Sequence, residues 1–81
     1  MKIIDVREPN EFEESHVDGA INIPLGDVMK RLDEIPKEED VVVYCNSGGR
    51  AGVAVQGLGT MGYTNIINGT NQANVEATYK V

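Results

Sequence analysis

The sequence predicts an α/β fold, with a small and mainly parallel sheet covered by helices on both faces. Short apolar stretches alternate along the chain with segments that carry helical spacing or helix-start residues. Such alternation is typical of parallel strands joined by helical crossovers. The stretch Val41 to Tyr44 has no polar alternation, as expected of a strand buried on both faces. All 81 residues are expected to form one domain, 1–81.

The first quarter of the chain is predicted to hold two strands and a short helix. Lys2 to Val6 is expected to be the first strand, and Ile21 to Ile23 a brief second one. Pro9 ends the first strand, and Asn10 is the expected N-cap of the helix between them. Phe12, the only Phe, is expected to anchor that helix in the core. Asp5 and Arg7 are predicted to form an ion pair or turn-fixing hydrogen bonds.

The segment from Leu25 to Ile35 is predicted to be one amphipathic helix packed on the sheet. Its apolar residues fall on helical spacing, and its charged residues fall on the opposite side. Pro36 ends the helix. The charged stretch Lys37 to Asp40 is expected to be a surface loop.

The second half is predicted to continue with a strand, a helix and a last strand. The helix is placed at Ala51 to Met61, with Gly62 as its C′ residue. Three internal glycines make it weak by intrinsic propensity, so tertiary packing is expected to hold it. Thr64 to Asn68 is the expected last strand. The buried face of the helix is predicted to consist of Ala51, Ala54, Val55, Leu58 and Met61.

Cys45, the only cysteine, lies where the predicted buried strand meets a short loop. An α/β fold places such a residue at the carboxyl edge of the sheet, where ligand sites form. Loop N–H groups and a helix N-terminus would surround its sulfur with positive potential. A thiolate is favoured there, and the thiolate is the nucleophile. The candidate loop consists of Asn46, Ser47, Gly48, Gly49 and Arg50.

Other roles for Cys45 fit the sequence less well. A lone cysteine is often only a small buried hydrophobe, but an inert one needs neither a glycine-containing loop nor a nearby arginine. No second cysteine exists for an internal disulfide, and His16 is the only histidine, so no metal site is expected. No cofactor is expected either. His16 is predicted to be a hydrogen-bonded structural residue and not a general base.

Four stretches, in order, resemble the single-domain rhodaneses, the thiosulfate sulfurtransferases. Cys45 to Arg50 resembles their active-site loop, and Ile4-Asp5-Val6-Arg7-Glu8-Pro9 with Glu11-Phe12 resembles their opening motif. Residues 15–25 resemble the family's Gly-His-containing turn. Residues 62–66 resemble a further stretch of the family and follow in the same order. The likeness covers roughly residues 3–68 and is greatest to the short bacterial phage-shock-protein-E type.

The resemblance implies a rhodanese-like three-layer α/β/α fold and sulfurtransferase activity. Cys45 would attack thiosulfate or a similar donor and carry the sulfur as a persulfide held by N–H groups from Asn46 to Arg50. A thiol or cyanide would then collect the sulfur. Arg50 would either attract the anionic donor or brace the loop through a carboxylate. Ser47 is a further candidate donor to the sulfur or the substrate.

Two rival functions follow from the same loop. Phosphatases and arsenate reductases of this kind place five residues between cysteine and arginine, whereas four separate Cys45 from Arg50. The shorter ring suits a single sulfur atom better than a tetrahedral oxyanion. The rival from another class is a non-catalytic rhodanese-like module that binds partners or carries persulfide sulfur.

The net charge limits the kinds of partner that the protein is expected to bind. The formal net charge of −6 argues against nucleic acid and anionic membrane surfaces. The expected partners are a small anionic sulfur donor and a thiol or cyanide acceptor, with a thioredoxin-like protein as one candidate. A monomer is expected. No signal peptide is visible, which favours the cytoplasm, with the periplasm as the alternative because the resembled type is exported.

The tail from Gly69 to Val81 departs from the family pattern. A second glycine and a tryptophan-bearing helix are common there, but this chain has Thr70 after Gly69 and no Trp. Ala51 also stands where Ser or Thr often follows the loop arginine. These departures leave the rim of the site and the substrate preference unpredicted.

Overall fold

A computed structural model describes all residues, 1–81. Its centre is a four-stranded sheet in the order β2-β1-β3-β4, and every neighbouring pair is parallel. The predicted α/β class is confirmed. The strands are β1 (Lys2–Asp5), β2 (Ile21–Asn22), β3 (Val41–Cys45) and β4 (Ile66–Asn71), and the helices are α1 (Pro9–Glu14), α2 (Gly49–Thr60) and α3 (Gln72–Tyr79).

Strand β3 is the centre of the sheet, and all five of its residues are buried. Alternate side chains of a strand point to opposite faces, so β3 contributes to two apolar clusters. Val41, Val43 and Cys45 pack with α2 on one face, through Ala51, Ala54 and Leu58. Val42 and Tyr44 pack on the other face with Val75 of α3. The three-layer arrangement of helices around the sheet is therefore confirmed.

The predicted amphipathic helix from Leu25 to Ile35 is wrong. Two 3₁₀ helices, Leu25–Lys30 and Leu32–Glu34, occupy this segment. Arg31 lies between them at φ −125° and ψ 34°, outside the helical region. Apolar residues three apart share a face in either kind of helix, so the spacing did not distinguish them. Met29, predicted to face the core, is 46% exposed.

Several element boundaries and burial predictions also change. Helix α1 begins at Pro9, because a proline fits the first helical position, and Glu8 replaces Asn10 as its N-cap. Helix α2 begins at Gly49, two residues earlier than predicted, and Met61 at its end is exposed. Strand β4 begins at Ile66 and runs past Asn68 to Asn71.

The packing of α1 and α2 otherwise follows the sequence. Ala51, Ala54 and Leu58 form the buried face of α2, while Val55 is only partly buried. Gly62 follows the helix with φ +90°, the left-handed conformation of a C′ glycine. Phe12 is partly buried and packs against the cluster around Tyr44.

Asp5 and Arg7 form a buried ion pair, as predicted. The Arg7 guanidinium donates to both carboxylate oxygens of Asp5, with an Nη2–Oδ2 distance of 2.6 Å. The Arg7 backbone N–H also donates to Asp5 Oδ1. Asn22 donates to the carbonyls of Asp5 and Arg7, so the turn after β1 is fixed to β2.

The tail that departs from the family pattern forms β4 and helix α3. Asn71 caps α3 by accepting the Asn74 N–H at 2.8 Å. Val75 is completely buried against the sheet, while Tyr79 packs at the edge of the same cluster. No helix of the chain is long and apolar enough to cross a bilayer.

Candidate active site

Cys45 is the last residue of β3, at the carboxyl edge of the sheet. Its side chain is only 2% exposed. The Sγ atom accepts the backbone N–H of Gly48 at 3.1 Å and that of Ala51 at 3.4 Å. The polypeptide therefore turns around the sulfur, and donors from the loop and from the first turn of α2 converge on it.

Gly48 makes this turn possible. Its φ of +91° lies in the left-handed region, which favours glycine over residues with a Cβ. The residue is also the N-cap of α2. One residue thus closes the loop over Cys45 and starts the helix whose positive end faces the sulfur.

The environment of Cys45 favours its ionised form. Burial by itself would raise the pKa of the thiol, and it is the largest single influence. The backbone N–H groups of Ala51, Ser47, Gly48 and Arg50 oppose it, because their partial positive charges stabilise the negative sulfur. Together they prevail, and the pKa of Cys45 lies below the ordinary value of a thiol.

Arg50 forms a double hydrogen bond with Glu11 of α1. Its Nη1 donates to Oε1 at 2.8 Å and its Nη2 to Oε2 at 3.1 Å. Asn46 Nδ2 donates to the same carboxylate at 2.8 Å. Both ends of the Cys45 loop are thus bound to one residue of another helix.

Glu11 is ionised over almost the whole pH range. The paired guanidinium of Arg50 is the main reason that its pKa falls to about 2. A backbone hydrogen bond at Glu8, whose N–H the carboxylate accepts at 2.9 Å, lowers the pKa further. The carboxylate therefore joins the start of α1 to the loop.

The other predicted site residues lie around this loop. The side chains of Asn46 and Ser47 are exposed, and so is Gly49. His16 lies outside the loop contacts, where its Nδ1 is 2.7 Å from the Phe12 carbonyl and its ring stacks on Phe12 at 3.7 Å. The structural interpretation of His16 fits these contacts, while the functional roles of the loop residues stay predictions.

Two open surface pockets lie at the amino edge of the sheet, opposite the carboxyl edge that holds Cys45. Their lining includes the starts of β1 and β2 and the loop before β3, and neither includes a residue of the Cys45 loop. One of them is rich in both signs of charge, from Lys2 and Lys37 to Glu34 and Glu39. Neither pocket therefore brings an additional side chain next to Cys45.

Comparison with known families matches residues 1–70 to the rhodanese-like domain. The chain belongs to the rhodanese-like family. The structure agrees, because a structure described as rhodanese with anions from E. coli has a TM-score of 0.83 and 41% sequence identity. That match covers 90% of this chain and 88% of the other.

Two curated relatives carry sulfurtransferase names. Thiosulfate sulfurtransferase PspE of Escherichia coli is 48% identical over 67 residues, which are 80% of this chain and 64% of the relative. A sulfurtransferase of Allochromatium vinosum is 36% identical over 66 residues, covering 82% of this chain and 62% of the relative. The chain thus spans less than two thirds of either relative. Sulfur transfer is the general chemistry that these rhodanese relatives support.

Two residues in contact with the loop were not among the predicted site residues. The sequence marks Glu11 only as part of the stretch that resembles the family's opening motif. The sequence shows a carboxylate there but not its partner, which lies 39 positions away. The sequence marks Asn68 only as the end of the predicted last strand, yet its Nδ2 donates to the Gly48 carbonyl at 3.1 Å. A glycine after it in a strand is a signal for a bulge, which could have drawn attention to this position.

Proposed function

We propose that this rhodanese-like domain transfers a sulfane sulfur from thiosulfate or a similar anionic donor to a thiol or cyanide, through a persulfide on Cys45. One observation carries the proposal, namely the convergence of loop N–H groups on the Cys45 sulfur. These donors favour a thiolate before the reaction and would stabilise a negative outer sulfur after it.

The first step is a displacement at the sulfane sulfur. The Cys45 thiolate attacks the outer sulfur of thiosulfate, a new S–S bond forms, and the S–S bond of the donor breaks. Its electron pair leaves with sulfite, and the protein retains the persulfide anion. The lowered pKa of Cys45 raises the fraction of thiolate that is available for this attack.

The second step regenerates the thiolate. Cyanide or an acceptor thiolate attacks the outer persulfide sulfur, and the electron pair of the broken S–S bond returns to Cys45. Thiocyanate leaves when cyanide is the acceptor, and a new persulfide leaves when the acceptor is a thiol, including one on a thioredoxin-like protein. The cycle needs no added oxidant or reductant.

The contacts of Arg50 favour bracing over the attraction of the donor. Both of its Nη atoms donate to Glu11, so the carboxylate compensates most of its charge. The net charge of −6 gives an anionic donor no general attraction to the protein. The loop N–H groups would therefore supply the positive potential that attracts it. We propose that Arg50 mainly holds the loop in the shape that binds sulfur.

The test combines turnover with detection of the intermediate. Wild-type protein should form thiocyanate from thiosulfate and cyanide over many turnovers, and thiosulfate alone should add the mass of one sulfur atom to Cys45. Cys45→Ser should keep the wild-type circular dichroism and lose both results. Thiocyanate formation by Cys45→Ser would contradict the proposal.

The same assay separates the rival functions. A sulfur carrier would gain the sulfur atom and keep it as a persulfide, without steady-state release of thiocyanate. A phosphatase or arsenate reductase would turn over aryl phosphate or arsenate and form no persulfide. Either pattern would replace the proposed activity.

A further inference from the structure

Asn68 of β4 contacts the Cys45 loop from the neighbouring strand. Its Nδ2 donates to the Gly48 carbonyl at 3.1 Å, and its Oδ1 accepts the Thr70 N–H at 2.9 Å. We propose that Asn68 is a positioning residue for sulfur transfer, which orients the Gly48 peptide groups toward Cys45. This inference rests on the proposed function.

Gly48 is held on both of its sides. Its N–H donates to Cys45 Sγ at 3.1 Å, while its carbonyl accepts from Asn68 and also from the Gly52 N–H at 2.8 Å. A carbonyl oxygen has two lone pairs, so both donors are accommodated. The helix bond fixes the carbonyl along the axis of α2, and Asn68 fixes it from the side of the sheet. Without Asn68, a glycine with φ +91° has wide freedom to turn its N–H from the sulfur.

A bulge in β4 places Asn68 at this point. Val43 pairs with Asn68 and Tyr44 with Thr70, so the register shifts at Gly69, close to the end of β3. A bulge bends a strand and changes the direction of its side chains. A Cβ on Gly69 would lie 2.6 Å from Val75 Cγ2, so the packing of β4 against α3 requires glycine at this position.

Thr70 completes the bulge in an unfavourable conformation. Its φ of +73° is unusual for a β-branched residue and carries a cost in free energy. The Asn68 carboxamide is bound to the Thr70 N–H on one side and to Gly48 on the other. The same side chain therefore connects the bulge to the loop.

A purely structural role for Asn68 would act through the Thr70 N–H alone. Asn68→Asp separates the two roles, because a carboxylate keeps the acceptor for Thr70 but loses the donor to Gly48. Asn68→Ala removes both contacts without adding a charge. Comparing these variants at low and high ionic strength separates the lost hydrogen bond from the charge, since salt screens only the latter.

Asn74→Asp is the matched control. Asn74 Nδ2 donates to the Gly69 carbonyl at 2.7 Å, so this variant makes the same chemical change at the same bulge. It does not touch the Cys45 loop. A general loosening of β4 would affect Asn74→Asp and Asn68→Asp alike.

The experiment measures the rate of Cys45 alkylation against pH, together with kcat and KM for thiosulfate. Both Asn68 variants should shift the alkylation midpoint to higher pH and lower kcat roughly threefold to tenfold, the effect of one net hydrogen bond. Asn74→Asp should match the wild type in both measurements. An unshifted midpoint in Asn68→Ala, or an equal shift in Asn74→Asp, would overturn the inference. A shift in Asn68→Asp alone that vanishes at high salt would also overturn it.

Alkylation needs no sulfur donor, so it tests Asn68 independently of the proposed function. A wild-type protein that fails to transfer sulfur would refute the proposed function, and the alkylation midpoints would still decide the role of Asn68. A wild-type protein that transfers sulfur, with unchanged midpoints in the Asn68 variants, would refute the positioning role alone.

Discussion

Cys45 combines two opposing influences on one sulfur atom. Its side chain is nearly inaccessible, which disfavours charge, yet backbone donors reach it from the loop and from α2. Both hydrogen bonds to Sγ come from backbone N–H groups, those of Gly48 and Ala51. The reactivity of the residue thus depends on the path of the chain more than on the neighbouring side chains.

We expect the folded protein to hold the Cys45 thiolate to lower pH than the unfolded chain does. Cys45 is the only thiol, so alkylation against pH in native buffer and in urea compares the two states of one group. A lowered native pKa also means that the thiolate stabilises the fold above the unfolded pKa and that this contribution is lost as pH falls through the native pKa.

The corresponding stability measurement uses Cys45→Ser as the reference. Between the two pKa values, the free energy of unfolding of the wild type should rise with pH relative to that of the variant. A native alkylation midpoint equal to or above the unfolded one would show that burial dominates, and the physical basis for Cys45 as a nucleophile would be lost.

The active-site loop is an element held by a neighbouring helix. Glu11 of α1 binds Asn46 at the start of the loop and Arg50 at its end. Because the pKa of Glu11 is about 2, this clamp stays intact at every pH at which the protein would be assayed. Changes of activity with pH near neutrality therefore do not originate from Glu11.

We expect Glu11→Gln and Arg50→Gln to lower kcat/KM for thiosulfate to a similar extent, and the double variant to be little worse than either. Each change breaks the Arg50–Glu11 ion pair, and a pair this exposed contributes roughly 0.2–1 kcal/mol to the free energy of unfolding. Steady-state kinetics of the three variants and a double-mutant cycle in urea measure both effects.

The control for this cycle is Arg31→Gln, which breaks the exposed Arg31–Glu34 pair without touching the loop. It should leave kcat/KM unchanged. If Arg50 instead attracts the donor, Arg50→Gln would raise KM while Glu11→Gln, by freeing the cation, would lower it. Opposite shifts in KM would therefore replace bracing with donor attraction.

At the scale of the whole molecule, the sequence predicted what depends on local pattern. The unbroken apolar run Val41 to Tyr44 identified the central strand, and the position of Cys45 after it predicted the carboxyl edge of the sheet. The segment from Leu25 to Ile35 failed because spacing by three residues fits both kinds of helix. The contacts of Glu11 and Asn68 lie 39 and 20 positions from their partners, a distance that no local pattern encodes.

The buried pair of Asp5 and Arg7 supports the molecule on the other side of the sheet from α2. Asp5 is completely buried and Arg7 is 7% exposed, and the guanidinium also lies 5.5 Å from the centre of the Tyr44 ring. Arg7 Nη2 donates to the Ser15 carbonyl at 2.6 Å, so one cation joins the end of β1 to the end of α1. The hydrogen bond to Asp5 is the main reason that the pKa of Arg7 is raised, and the cation stays charged throughout.

We expect Asp5→Asn to destabilise the protein by about 3–5 kcal/mol, because it leaves a buried cation without its counter-ion. A domain of 81 residues has a free energy of unfolding on the order of 4–12 kcal/mol, so this loss is a large fraction of the total stability. Urea denaturation of the wild type and the variant measures the difference.

Combining Asp5→Asn with Arg7→Met removes the uncompensated charge and should recover much of the loss. Arg31→Met, at the exposed pair, should cost less than about 1 kcal/mol. An Asp5→Asn cost no larger than that of Arg31→Met would mean that water reaches Arg7 and that the pair is not the support described.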